Sequence, residues 1–316
     1  MSNPPAAPLF PFLAVGTTVL VWAAAFPAIK LALTQTQPLP LAAVRYGMAA
    51  VFALAWLAWK RPARMPAADM MLCVCCGIVG AAGYSVLLNL GQVTVSAGAA
   101  SFLVKTESIW MAILAVLFLK EPFNAWAWAG TALGFVGIVI IGSAQPGGIA
   151  LGAGALLVLA AASCSATGFV LQRKLVQRYG ALQVAAIMLI SAALTLSPWL
   201  PKAAAEIASA SPATCAWVVF LGVFPTAVGQ TCWTYALGYF GAARAGNFLY
   251  LVAPLATALA WVLSGEAPSV ATIGGGMLVL GGVMLVNTRR IRRVTITAGQ
   301  SDWQTLSRRP GTPNPP

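Results

Sequence analysis

Lys105 and Glu107 stand inside the run SFLVKTESIW, and their flanks, VTVSAGAA before and MAILAVLFL after, carry no other charge. A carboxylate in so apolar a stretch can bind a substrate amine, carry a proton, or fix helix packing as half of a buried ion pair. Asp69, Glu121, Glu206, Glu266 and Asp302 all fall in turn-rich or terminal segments, so Glu107 is the carboxylate left in apolar surroundings. Two residues of α-helix turn a side chain by about 200°. Lys105 and Glu107 are therefore expected to look in different directions. Lys105 stands about nine residues, roughly 14 Å at helical rise, from the end of its segment, and is expected to reach a neighbouring helix, a carbonyl or a cavity. Arg45 in the second apolar segment either snorkels outward or supplies a charge partner for Glu107. Lys30, near the end of the first, is expected to snorkel.

The elements that position these ions are set by composition. The chain has 316 residues, 60% hydrophobic and 8% charged, and its mean hydropathy is +0.86. A water-soluble shell takes about a quarter of residues as charges, so the sequence describes an all-α integral membrane protein. A helical span needs roughly 20 apolar residues. Ten such runs are expected, at 12–33, 39–59, 70–91, 97–119, 125–142, 150–172, 181–199, 213–236, 242–263 and 270–287. The breaks TQTQPLP, KRPARMPAAD, LKEPFN, SAQPGG, RKLVQRYG, PKAAAEIASASP and SGEAPS have turn chemistry or charge. MSNPPAAPLFPF lacks a basic segment ahead of the first apolar run, so a retained first helix is expected rather than a cleaved signal.

Lys60, Arg61 and Arg64 follow the second span, Arg173, Lys174 and Arg178 the sixth, and Arg289, Arg290, Arg292 and Arg293 the tenth. With basic loops cytoplasmic, both termini are cytoplasmic. The formal charge of +12 is then the orientation signal plus a basic tail against anionic lipid rather than a nucleic-acid footprint. The chain divides into a cytoplasmic segment 1–11, a five-helix unit 12–142, a second unit 150–288, and a tail 289–316 whose Ser, Thr, Gly and Pro content predicts disorder.

The two units repeat. LGQVTVSAGAASFL at 90–103 aligns with LGYFGAARAGNFL at 237–249, and the runs lead on to KEP and GEAP, making Glu121 and Glu266 equivalent. At the same spacing Gly130 and Gly137 fall on Gly275 and Gly282. The first and sixth spans align less well, pairing Phe26 with Phe169 and Lys30 with Arg173. An odd number of spans per copy inverts the second copy, and inverted repeats place a binding site at the midplane between them, opened alternately to each side. That architecture points to a carrier.

WAAAFPAIK, PLPLAAVRY, the Ala-Gly-rich fourth span with its KEP ending, and GNFLYLVAPLATALAWVLSGEAP resemble the ten-helix, EamA-type metabolite-exporter branch of the drug/metabolite transporter superfamily, over about residues 12–288. The resemblance implies two inverted five-helix repeats around a central cavity. It also implies export of amino acids or other small metabolites from a bacterial inner membrane. Members often carry Glu-Pro in the fourth span and a Pro in the ninth; Glu107 and Pro254 match these, while Ser108 stands in the other proline position.

Trp22, Tyr84, Asn89, Ser101 and Trp110 in the first unit, and Gln230, Trp233, Asn247 and Tyr250 in the second, join Glu107 and Lys105 as expected cargo-binding residues. Tyr46, Ser85, Ser165 and Thr167 lie at similar depth. Aromatic rings with sparse polar groups suit amphipathic ligands, although interfacial aromatics and Ser or Asn helix contacts are common in any membrane bundle. Glu107 is the expected proton-coupling group, and Pro27, Pro225 and Pro254 are expected hinges. No cofactor is expected. CVCC at 73–76 reads as small apolar packing, because the chain has no His and its other cysteines lie in separate spans. The expected partners are a small-molecule substrate and the lipid bilayer. Gly130, Gly134 and Gly137 form a candidate close-packing face, as in a homodimer. Other cargoes (amines, nucleobases, drugs) are alternatives, as are a channel and an intramembrane Ser–Lys enzyme built on Lys105; hydrolytic motifs such as H-E-x-x-H are missing.

Overall fold

The structure is a computed structural model that describes residues 9–107, 109–111, 113–114, 125–144, 152–282 and 284–285. All of its regular elements are helical, and no strand occurs among the described residues. In chain order these are α1 (Leu9–Ala32), α2 (Pro38–Lys60), α3 (Ala67–Cys76), α4 (Tyr84–Gln92), α5 (Ala97–Val104), α6 (Ala125–Ser143), α7 (Ala153–Tyr179), α8 (Ala181–Leu196), α9 (Leu200–Ser209), α10 (Pro212–Leu221), α11 (Gln230–Phe248), α12 (Val252–Ser264) and α13 (Val270–Gly282). Among the described residues six helices are long and apolar enough to cross a membrane, and three shorter apolar ones lie at 128–141, 252–264 and 270–282. The segments LKEPFN and most of SAQPGG, together with the tail from 286, lie outside the described residues.

Phe10, Val51, Phe52, Trp59, Trp128, Phe135, Trp261 and Val262 are more than half exposed. So much outward apolar surface suits lipid rather than water. The interior is correspondingly fine-grained. Ala23, Ala28 and Ala32 of α1, Ala42 and Ala49 of α2, and Ala161 and Ala162 of α7 are fully buried. Without a hydrophobic drive between helices in lipid, small side chains let backbones approach and gain dispersion contact.

Three loop expectations change. RKLVQRY is helical, because Arg, Lys, Leu and Gln are good helix formers; α7 stops at Gly180, whose φ of 84° suits glycine. PKAAAEIAS forms α9, since its alanines favour helix once Pro201 occupies the first turn. The gap expected at 237–241, between the eighth and ninth spans, lies inside α11, and a 3₁₀ turn at Leu249–Leu251 follows instead.

Two π-helical segments interrupt the bundle, Gly77–Gly83 between α3 and α4 and Gly222–Gly229 between α10 and α11. They begin 145 residues apart, at the spacing of the sequence repeat. In the second, Pro225 cannot donate to the ladder, and Thr226 Oγ1 donates to the carbonyl of Leu221 at 2.7 Å. Neighbouring helices take other carbonyls of these segments: Trp22 Nε1 donates to Pro225 O at 3.0 Å and Tyr46 OH to Ala81 O at 3.0 Å.

α6 and α13 pack through glycine. A Cβ on Gly137 would lie 2.5 Å from Gly275 O, one on Gly275 would lie 2.8 Å from Gly137 O, and one on Gly282 would clash with Gly130 O. The glycine face expected to be open for a homodimer is thus occupied within the chain.

Candidate functional site

α5 is held by small residues and caps. Ser96 caps its N-terminus by accepting from Ala99 N, and Ala97 N donates to Glu266 Oε2 at 2.9 Å. Ser101 Oγ donates to Gly98 O at 2.6 Å and to Ala253 O at 3.3 Å, fastening α5 to α12. The α-helix then ends at Val104. Lys105 N and Thr106 N donate three residues back, to Phe102 O and Leu103 O, and Thr106 Oγ1 also takes Leu103 O. This tightened turn overturns the expectation that Lys105 and Glu107 diverge, because the 100° step of a regular helix does not hold across it. Lys105 Nζ lies 3.4 Å from Glu107 Oε1, and the two residues are 3% and 5% exposed. Ser165 Oγ of α7 donates to the other oxygen, Oε2, at 3.0 Å.

This pair borders a cavity of about 70 Å³ lined by both units of the chain. Trp22, Phe26 and Ile29 come from α1, Arg45 and Tyr46 from α2, and Gly80 and Pro225 from the two π segments. Tyr84 and Gln230, the first residue after each π segment, both line it. Ser165 and Phe169 of α7 complete the wall.

Arg45 neither snorkels nor pairs with Glu107. It is 6% exposed, with Nη1 3.4 Å from Asn89 Oδ1 and Nε 3.4 Å from Thr226 Oγ1. No carboxylate lies within ion-pair distance of it among the described residues. An ionised side chain at membrane depth costs about 2.5 to 3.5 kcal/mol on insertion scales, so a guanidinium held this way marks a polar chamber. Lys30 Nζ donates to the carbonyls of Gln92, Val93 and Val95 at 2.9, 3.3 and 3.3 Å, satisfying the end of α4.

Of the expected cargo-binding residues, Glu107, Lys105, Trp22, Tyr84 and Gln230 converge on the cavity. The others that are described do not. Asn89 is fully buried behind Arg45 and donates to Pro38 O at 3.0 Å. Ser101 belongs to the α5–α12 contact. Trp110 is 36% exposed, on the outside. Trp233 lies one layer back, its ring 5.6 Å from both Trp22 and Phe169. The side chains of Asn247 and Tyr250 lie outside the described residues. Pro27 is buried inside α1 and Pro225 sits in a π segment on the cavity. Pro254 lies in the first turn of α12, directly after the 3₁₀ turn Leu249–Leu251. Sequence reading missed Gly80, Phe169 and Thr226, and it left Arg45 unplaced. Phe169 had a signal in its pairing with Phe26 in the repeat; Gly80 and Thr226 had none. Of CVCC, Cys73 and Cys76 are buried thiols of α3 within an apolar cluster, while Cys75 is exposed. No group of metal-ligating side chains occurs among the described residues.

Membrane-length apolar helices around an ion-bearing cavity suit a transporter, and comparison with known proteins agrees. The EamA-like transporter family profile matches twice, over residues 9–143 and 152–288. The chain belongs to that family. It is 37% identical over 287 residues to a probable terminal-alkyne amino-acid exporter of Streptantibioticus cattleyicolor, covering 90% of this chain and 96% of that protein. It is 31% identical to the uncharacterized transporter YdfC of Bacillus subtilis, covering 88% and 91%. A probable amino-acid metabolite efflux pump of Salmonella typhimurium is 26% identical, covering 91% and 98%. The crystal structure of another protein shares the fold with a TM-score of 0.60 at 22% identity, covering 90% of this chain and 99% of that one.

Proposed function

We propose that the chain is a secondary transporter of a bacterial inner membrane that exports amino acids or related small metabolites by alternating access, with both termini cytoplasmic. The observation that carries this reading is the buried Lys105–Glu107 pair with Arg45 around one cavity lined by both units. Two relatives named as an amino-acid exporter and an amino-acid metabolite efflux pump support the cargo class.

The ten-helix, inverted-repeat arrangement of units 12–142 and 150–288 is part of the proposal. It is supported by the double family match and by the π segments at equal positions in each unit. The glycine contacts support it too. Under the repeat Gly130 corresponds to Gly275 and Gly137 to Gly282, so the contact of Gly130 with Gly282 is exchanged with that of Gly275 with Gly137. A local two-fold axis makes such reciprocal contacts. α1 packs on α12 and α7 packs on α5, which is a second exchanged pair.

A cavity of about 70 Å³ holds water but is well below the few hundred Å³ of a loaded ligand site. Cargo entry therefore requires the units to move apart on one side. In this cycle Glu107 binds the cargo amine or a proton as Lys105 is released. Lys105 Nζ bonds to Glu107 rather than to a serine hydroxyl among the described residues, which favours the carrier over a Ser–Lys enzyme. Reconstitution decides between carrier and channel. Proteoliposomes preloaded with unlabelled leucine or phenylalanine should accumulate the labelled amino acid by saturable counterflow; non-saturating flux without trans-stimulation would reject the carrier.

A further inference from the structure

The cavity carries an unbalanced charge. Lys105 and Glu107 neutralise each other at 3.4 Å, which leaves the Arg45 guanidinium as surplus. The other described carboxylates are engaged elsewhere: Asp69 with Arg178 and Tyr179, Glu206 with Gln37 N, and Glu266 with Ala97 N. Arg45 has five N–H donors. Two of them have protein acceptors, both at 3.4 Å, beyond the usual 2.7–3.2 Å. A rigid fork of donors with this much unused capacity, 6% exposed and on a cavity wall, matches a planar carboxylate.

We propose that Arg45 binds the carboxylate of the cargo, so that the chain selects carboxylate-bearing solutes over bare amines. This deepens the transporter reading above and rests on it. Charge decides the class. A monocarboxylate brings the chamber to neutrality, a zwitterion pairs with Arg45 and offers its ammonium to Glu107, and an amine raises an already positive site. A doubly charged phosphate would overshoot the single surplus cation. The apolar remainder of the cargo meets Phe26, Ile29, Leu88 and Phe169, which line the same cavity.

The test uses the purified full chain in lipid nanodiscs, with intrinsic tryptophan fluorescence reporting on Trp22 at the cavity wall. The probes are two matched series, leucine, isocaproate and isoamylamine, and phenylalanine, phenylpropionate and phenethylamine. In the unmodified chain the acids and amino acids should bind about tenfold or more tighter than the amines. Arg45→Gln should weaken the acids and amino acids by about tenfold or more and leave the amines unchanged or improved, and Arg45→Lys should fall between. Amines binding as well as acids, no binding by any acid or amino acid, or unchanged acid affinity in Arg45→Gln would each overturn the proposal. The ranking in the unmodified chain needs no variant, so it decides even if Arg45→Gln does not fold. Leucine counterflow separates the two claims. Arg45-dependent acid binding without exchange of any probe keeps the anion site and rejects the carrier; exchange indifferent to Arg45→Gln does the reverse.

Discussion

Lys105 Nζ and Glu107 Oε1 are 3.4 Å apart although they stand at positions i and i+2, because the α-helix ends at Val104 and a tighter turn brings both side chains to one cavity. A buried pair of this kind is sensitive to the loss of one partner, which strands the other charge. Lys105→Met should therefore destabilise the protein by about 3 kcal/mol or more, and Lys105→Met with Glu107→Met should recover most of the loss. Unfolding in detergent measures both; additive costs in the double variant would mean that the pair is not coupled.

The glycine seam between α6 and α13 gives a second expectation. Gly137→Ala and Gly275→Ala place a methyl against backbone oxygens at 2.5 and 2.8 Å, so each should cost about 1 to 3 kcal/mol through overpacking. Gly274→Ala, with nothing within 4 Å of its Cβ, should be neutral or gain up to about 1 kcal/mol from helix propensity. Thermal melts of the three variants compare them. Equal effects at Gly274 and Gly275 would contradict the seam.

What was legible in the sequence was what lipid dictates. Apolar run length and Pro, Gly or charged breaks placed most helices, and the cost of charge in hydrocarbon singled out Lys105 and Glu107. Trp22, Tyr84 and Gln230 were found because rings and amides at mid-depth are few. Ser101, Asn89 and Trp233 share that composition but serve packing, and only tertiary contact separates the two uses. The role of Arg45 depends on which acids reach it from other helices, a property of no local pattern. Pairing across the Lys105–Thr106 turn is hidden because the apolar run implies a regular helix there, and no proline marks its interruption.

Orientation is open to direct measurement. On a cysteine-free background, Arg61→Cys and Arg178→Cys should label from the cytoplasmic side, and Gln35→Cys and Lys202→Cys from the opposite side. Labelling of Gln35→Cys and Arg61→Cys from one side would break the alternation of spans on which inversion depends.

Trp22 offers a check on the chamber itself. Its ring forms part of the wall and its Nε1 holds the π segment at Pro225 O. Trp22→Phe keeps an aromatic face but leaves a buried carbonyl without its donor, so a stability loss of about 1 to 3 kcal/mol is expected together with weaker amino-acid counterflow. Full stability and transport in this variant would remove Trp22 from the site.

The most direct test of the central claim is counterflow of labelled leucine and phenylalanine by Glu107→Gln in proteoliposomes, measured with and without an imposed pH gradient. The side chain keeps its size but loses its charge and exchanges one acceptor oxygen for an amide donor. The account predicts folded protein in the membrane with exchange abolished, or retained but indifferent to the pH gradient. Saturable exchange at the unmodified rate, with unmodified pH dependence, would contradict it.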